Sequence, residues 1–127
     1  VLGARILIVD DQASNVRLLE HTLRRGGQTN ISLTTDPTEV AAMHEKNRYD
    51  LVLLDLQMPV MSGYEVMAEL QRIESRPRVA ILVMSADPSQ KLAALEAGAA
   101  SFLSKPFVLA DVVAHVQRML ESVAAKR

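Results

Sequence analysis

The 127-residue chain has no cysteine, no tryptophan, and only two phenylalanines and two tyrosines. Without thiols, disulfides, thiol catalysis and thiolate zinc sites are excluded, and the absence fits the cytosol. No apolar run approaches the roughly 20 residues that span a bilayer. No charged start, apolar stretch and cleavage site marks a secretory signal. Lys and Arg number 14 against 15 Asp and Glu and form no basic block, so neither a nucleic-acid surface nor a membrane contact is expected of this segment. What remains is ordinary: 49% hydrophobic residues and moderate charge, the composition of a compact soluble chain rather than a disordered one. The length makes one domain over residues 1–127, large enough to bury a core unaided. The start at Val1 rather than Met, and the charged end Lys126-Arg127, point to a segment excised from a longer chain.

The most informative stretch runs from Tyr49 to Gly63. Leu51 to Leu54 are four apolar residues in a row, too short for a helix and suited to a strand buried on both faces. That run ends on Asp55, after which Pro59 and Gly63 break the chain into a loop. Earlier, Arg5 to Val9 reads as a buried strand stopping at Asp10-Asp11, followed by a helix that Ser14 or Asn15 can cap and Gly26-Gly27 ends. Residues 31–35 form a weaker strand nearer an edge, and Asp36-Pro37-Thr38-Glu39 opens the next helix with a cap, a proline and a box-closing acid. Ser62-Gly63-Tyr64-Glu65 is a second capping box. Residues 79–84 form a fourth strand ending at Ser85, and Asp87-Pro88-Ser89-Gln90 starts a helix that Gly98 terminates. A short strand over 100–103 leads to Lys105-Pro106-Phe107. The last helix carries Val112, Val116, Met119, Leu120 and Val123 on one face, although Val108 is a poor cap for it. Strand and helix alternate five times. Each interval between strands holds one helix, which is what parallel pairing requires, so the expectation is an open α/β sheet with helices on both faces.

In such a sheet the C-terminal ends of the strands share one edge, where ligands bind. Asp10, Asp11, Asp55, Ser85 and Lys105 all fall there. Three clustered carboxylates raise one another's pKa unless a cation neutralises them. Oxygen donors without His or Cys select a hard ion such as Mg²⁺. A carboxylate beside that charge can act as a nucleophile towards phosphorus and give an aspartyl-phosphate. The Lys105 ammonium and Ser85 hydroxyl can then meet the equatorial phosphoryl oxygens.

Four signatures in order, Ile8-Val9-Asp10-Asp11, Leu53-Leu54-Asp55-Leu56-Gln57-Met58-Pro59 with Met61 and Gly63, Met84-Ser85-Ala86 and Lys105-Pro106-Phe107, make the whole chain resemble the receiver domain of bacterial two-component response regulators, the chemotaxis-regulator type. The resemblance implies a flavodoxin-like (βα)5 fold: a doubly wound, parallel five-stranded sheet of order 2-1-3-4-5. It implies a phosphorelay switch rather than an enzyme in the usual sense. Asp55 would take a phosphoryl group from the phosphohistidine of a histidine kinase or phosphotransfer protein. Asp10, Asp11, Asp55 and the backbone carbonyl of Gln57 would hold Mg²⁺. Lys105, joined to Pro106 by a cis bond, would reach the phosphoryl group, Ser85 would swing towards it, and Phe102 would turn inward behind. The fourth helix, fifth strand and fifth helix would carry the change to an output domain or partner, with a homodimer as one form. Excision from a longer regulator or hybrid kinase then becomes the natural reading of the chain ends.

The chain departs from the family pattern at Ser85, often Thr; at Phe102, often Tyr, which removes a phenol hydroxyl; and at Ser62, often Asp. Gln57 and Asp87 would tune the lifetime of the phosphate. Two other readings compete. A haloacid-dehalogenase-type phosphohydrolase uses the same groups but places its nucleophile in an Asp-x-Asp motif, whereas the first strand here ends Asp10-Asp11-Gln12. A receiver-like interaction module independent of phosphate would not need every site position filled. His21, His44 and His115 lack paired spacing and read as surface or satisfied residues, and Phe102 can also be simple core.

Overall fold

The computed structural model describes residues 3–73, 78–106 and 108–125; Phe107 and the chain-end residues Val1, Lys126 and Arg127 lie outside them. Five strands, β1 (Arg5–Val9), β2 (Asn30–Thr34), β3 (Leu51–Asp55), β4 (Ala80–Ser85) and β5 (Ser101–Ser104), pair in parallel in the order β2-β1-β3-β4-β5. Between and after them run α1 (Ala13–Arg25), α2 (Val40–Asn47), α3 (Gly63–Arg72), α4 (Lys91–Glu96) and α5 (Leu109–Ala125). This is the flavodoxin-like order that the resemblance implies.

Side chains alternate across a strand, and the sheet divides its core accordingly. Leu7, Val9, Val52, Leu54 and Val83 face α2, α3 and α4, packing on Val40, Val66, Leu70 and Ala94. Ile6, Ile8, Leu51, Leu53 and Met84 face α1 and α5, packing on Val16, Leu19, Val112 and Val116. Every residue of β3 is buried, which is why its apolar run shows no alternation. β2 at the edge is only partly buried.

The strands begin or end one residue away from the expected limits in β2, β4 and β5. The Ser62–Glu65 capping box is present: Glu65 N–H donates to Ser62 Oγ and Ser62 N–H to Glu65 Oε1, each at 3.3 Å. Elsewhere the caps differ. Neither Ser14 nor Asn15 caps α1, which starts after Gln12 with no side-chain cap, so both lie inside its first turn; the Asn15 side-chain amide donates instead to Asp10 (Nδ2 to Oδ2, 3.3 Å). Asp36 and Asp87 do cap, but each caps one 3-10 turn, Pro37–Glu39 and Pro88–Gln90, that precedes the α-helix proper. Glu39 does not close a box; it accepts from Thr34 Oγ1 at 2.6 Å. Of the histidines, His21 is exposed and His115 half-buried. His44, expected at the surface or satisfied, is buried with Nε2 unpartnered among the described residues. Its Nδ1 is taken by the Tyr49 amide, 3.1 Å away.

Candidate functional site

Four strand ends bring the site together. β1 delivers Asp10, β3 ends in Asp55, and β4 ends in Ser85, with Asp55 in register with Met84. Lys105 follows β5, held there by its amide donating to the Ser85 carbonyl at 2.8 Å, and the Lys105–Pro106 bond is cis. Its ammonium lies 3.4 Å from Asp10 Oδ2 and 3.5 Å from Asp55 Oδ1. One cation thus bridges two carboxylates from different strands. Asp10, Asp55 and Ser85 are buried, while Asp11 is more open to solvent.

The loop after β3 folds back on the strand end. Gly63 N–H donates to Leu56 O at 2.9 Å, and a Cβ at Gly63 would lie 2.7 Å from both Asp55 O and Leu56 Cα. Only glycine permits that approach. Gln57, exposed, donates its amide to Asp55 Oδ1 at 3.2 Å. Asp10 is steadied similarly: its Oδ1 accepts from Gln12 N–H at 3.0 Å and its Oδ2 from Asn15.

Burial pushes the Asp55 carboxyl above the usual carboxylate range, and the charges of Asp10 and Asp11 push the same way; the Gln57 amide and the Lys105 ammonium pull it down. Desolvation dominates, since a carboxylate out of water favours its neutral form. The donor set answers that imbalance. Asp10, Asp11 and Asp55 each offer an oxygen, all within 4.8 Å of one another, with no nitrogen or sulfur donor in the group. Such a set fits a small hard dication, and the residues present therefore suit Mg²⁺. Beside the carboxylates opens a cavity of about 380 Å³, lined by Asn15, Leu18, Lys105, Pro106 and Leu109.

All the strand-end residues singled out from the sequence meet here. Phe102 does not: its ring is buried, 8% exposed, in the core under α4. Asn15 was missed as part of the site; its place in the first helical turn after an acidic pair, read above as a capping signal, was the available clue.

The model of the response regulator receiver domain family matches residues 6–117. The transcriptional regulatory protein PrrA of Mycobacterium tuberculosis is 36% identical over 120 residues, 94% of this chain and 51% of PrrA; the chain spans about half the length of the curated relatives it matches. The chemotaxis response regulator CheY4 of Vibrio cholerae superposes with a TM-score of 0.83 at 30% identity, over 91% of this chain and 98% of that one. The receiver domain of a sensor histidine kinase from Pseudomonas aeruginosa, solved with magnesium coordinated in its active-site cleft, gives 0.82 at 31% identity, over 94% and 98%. Among the described residues no helix is long and apolar enough to cross a membrane. With the family model covering most of its length and the acidic strand-end cluster in place, the chain belongs to the receiver domains of two-component response regulators.

Proposed function

We propose that Asp55 is the phosphoacceptor of a phosphorelay switch. The observation that carries this is the position of its carboxylate, at a buried strand end 3.5 Å from the Lys105 ammonium and within a cluster of three acids. A carboxylate oxygen of Asp55 attacks phosphorus of a phosphohistidine, the N–P bond breaks, and the imidazole leaves with the bonding pair and takes up a proton. The product is an acyl phosphate on Asp55. Lys105 neutralises charge on the phosphoryl oxygens, and Ser85 donates its hydroxyl to one of them. Asp10, Asp11, Asp55 and the Gln57 carbonyl would hold Mg²⁺, which supplies positive charge beside the phosphoryl group when bound.

The donor is a histidine kinase or phosphotransfer protein, and the cavity beside Lys105 supports its approach from the α1 side. The readout is the α4–β5–α5 surface, with Ser85 and Phe102 as switch residues. Leu92 and Leu95 of α4 are exposed there, which supports an output domain, a partner or a second copy docking on that face. The setting is cytoplasmic, and residues 1–127 form one receiver unit of a longer regulator or hybrid kinase. The chain is a switch that catalyses only its own phosphorylation and dephosphorylation.

The test is intact mass after incubation with acetyl phosphate, with and without Mg²⁺, on wild type and Asp55→Asn. The expected result is one added phosphoryl group that requires Mg²⁺ and is absent from the variant. A wild type that takes up no phosphoryl group and binds no beryllofluoride would overturn the assignment in favour of a phosphate-independent interaction module.

A further inference from the structure

A run of hydrogen bonds leads from Ser85 to α3 by a route that bypasses Phe102. Ser85 Oγ, buried at the end of β4, accepts from Asp87 N–H at 3.0 Å. Asp87 Oδ1 accepts from Ser89 N–H (3.0 Å) and Ser89 Oγ–H (2.6 Å), which fixes the carboxylate. Its Oδ2 accepts from Gln90 Nε2 at 3.5 Å, the longest link. Gln90 Oε1 accepts from the Tyr64 hydroxyl at 2.6 Å. Tyr64 stands in the first turn of α3, next to Gly63, whose amide bonds the Leu56 carbonyl just beyond Asp55. The path therefore closes on itself: it leaves the site through Ser85 and returns to the segment after Asp55 through Tyr64.

The chemistry at Ser85 makes this path sensitive to the site. A serine hydroxyl donates one hydrogen bond and accepts two. The Asp87 amide uses an acceptor position, so the proton remains for the oxygen of a group on Asp55. When the hydroxyl turns to donate it, the acceptor lone pairs turn as well, and the Asp87 amide must follow or lose its bond. Asp87 and Gln90 belong to one cap and the 3-10 turn it opens, Pro88–Gln90, so a shift of the first moves the second. Phe102 has no hydroxyl, whereas the phenol of Tyr64 is bonded and part-buried.

We infer that Tyr64 reads the position of the Ser85 hydroxyl through Asp87 and Gln90, coupling the phosphoryl site to the start of α3. The coupling between Ser85 and Tyr64 stands on the bonds above; its use as a signal rests on the function proposed for Asp55. Tyr64 is a positioning residue and touches no reacting atom.

Two tyrosines and no tryptophan make the test direct. Protein labelled at the tyrosine rings gives two sets of NMR signals, assigned with Tyr64→Phe. Tyr49 packs in the core at the far end of the sheet, bonded to Asn47 and stacked on His44, and serves as the internal control. In ligand-free protein, Ser85→Ala should shift the Tyr64 signals and leave those of Tyr49 in place. In wild type, beryllofluoride with Mg²⁺ should move Tyr64 again, and Gln90→Leu should abolish that movement. By linkage, Tyr64→Phe should change the beryllofluoride dissociation constant by about 5-fold. The same substitution made in Ser85→Ala should change it no further. Tyr64 signals unmoved by Ser85→Ala would overturn the coupling and leave the Tyr64–Gln90 bond as a brace. Should Ser85→Ala fail to fold, Tyr64 moving equally in wild type and Gln90→Leu would overturn it. Failure of wild type to bind beryllofluoride would instead count against the phosphoacceptor, with the Ser85→Ala shift still deciding the coupling.

Discussion

At the C-terminal edge of the sheet Asp10 and Asp55 are 1% and 5% exposed, and at the opposite edge His44 is 1% exposed; both edges bury ionisable side chains, and they treat them differently. Burial pushes the Asp55 carboxyl up. It pushes the His44 imidazole down, helped by the Arg48 charge and opposed by Glu45. The acid edge supplies a cation, Lys105, and an opening beside it, so charge is held there under strain. At the histidine edge the nearest charges oppose each other, Arg48 against Glu45, and no ion pair or hydrogen bond to His44 Nε2 is found among the described residues. His44 accepts from the Tyr49 amide through Nδ1, and its carbonyl accepts from the N–H of Arg48, the C-cap, at 2.8 Å, so the imidazole braces the end of α2. Desolvation is common to both edges, and the counter-charge decides which one can do chemistry.

Removing that counter-charge has the largest expected effect. Lys105→Met keeps much of the stem and leaves two buried carboxylates facing each other. We expect a loss of about 2 kcal/mol in urea unfolding without divalent cation, below the roughly 3–5 kcal/mol of breaking a fully buried pair because Lys105 is partly solvated. Asp55→Asn should act the other way and raise the unfolding midpoint, since it deletes a desolvated charge and one repulsion. If Lys105→Met proved neutral and Asp55→Asn destabilising, the acid edge would not be the strained one.

Acidification separates the edges further. The folded pKa of His44 lies below the ordinary imidazole value of 6.5, so the unfolded chain binds more protons between those two values. Its contribution is complete above pH 6.5 and is lost as pH falls from there through the folded pKa, at up to about 1.4 kcal/mol per pH unit. Asp55 has the opposite sign. Its folded pKa lies above 3.8, so its protonation adds stability as pH falls through the raised value. Urea midpoints for wild type and His44→Asn, whose Oδ1 can replace Nδ1 as acceptor, should converge as pH falls below 6.5. Parallel curves would mean that His44 titrates as it does unfolded.

The acid edge was readable from sequence and the histidine edge was not, for a physical reason. Buried parallel strands are continuous apolar runs, so a carboxylate, hydroxyl or lysine that ends one, as Asp55, Ser85 and Lys105 do, marks its own place on the shared edge. His44 carries no such mark. Its environment comes from Tyr49 five residues on, through a bond that exists only once α2 has stopped at Arg48. The caps were legible in type and less so in partner. Ser62 finds its donor three residues away and behaves as read. Asn15 instead meets Asp10, and Glu39 meets Thr34, because a stronger partner from the neighbouring strand lies within reach.

Among the described residues each edge also holds one non-glycine residue with positive φ, and these give the smallest expected effects. Arg48 (φ 52°) ends α2, and Val60 (φ 72°) forms the tip of the loop after β3, where Met61 N–H closes a tight turn onto Pro59 O at 2.8 Å. Left-handed backbone costs an L-residue about 1–2 kcal/mol, and a β-branched side chain fits it worst. Val60 is 90% exposed, so truncation loses little packing. Glycine at either place relieves the strain but adds freedom to the unfolded chain, an offset of about 0.5–1 kcal/mol. Val60→Gly should therefore gain up to about 1 kcal/mol in urea unfolding, and the straight-chain Arg48→Gly only a few tenths. A larger gain at Arg48 would place the greater backbone strain at the histidine edge. The same Val60→Gly protein carries a second readout. If it gains stability and takes up phosphoryl groups at the wild-type rate, the turn is strained without serving Asp55; if it gains stability and slows, the strained tip is what holds Gln57 against the carboxylate.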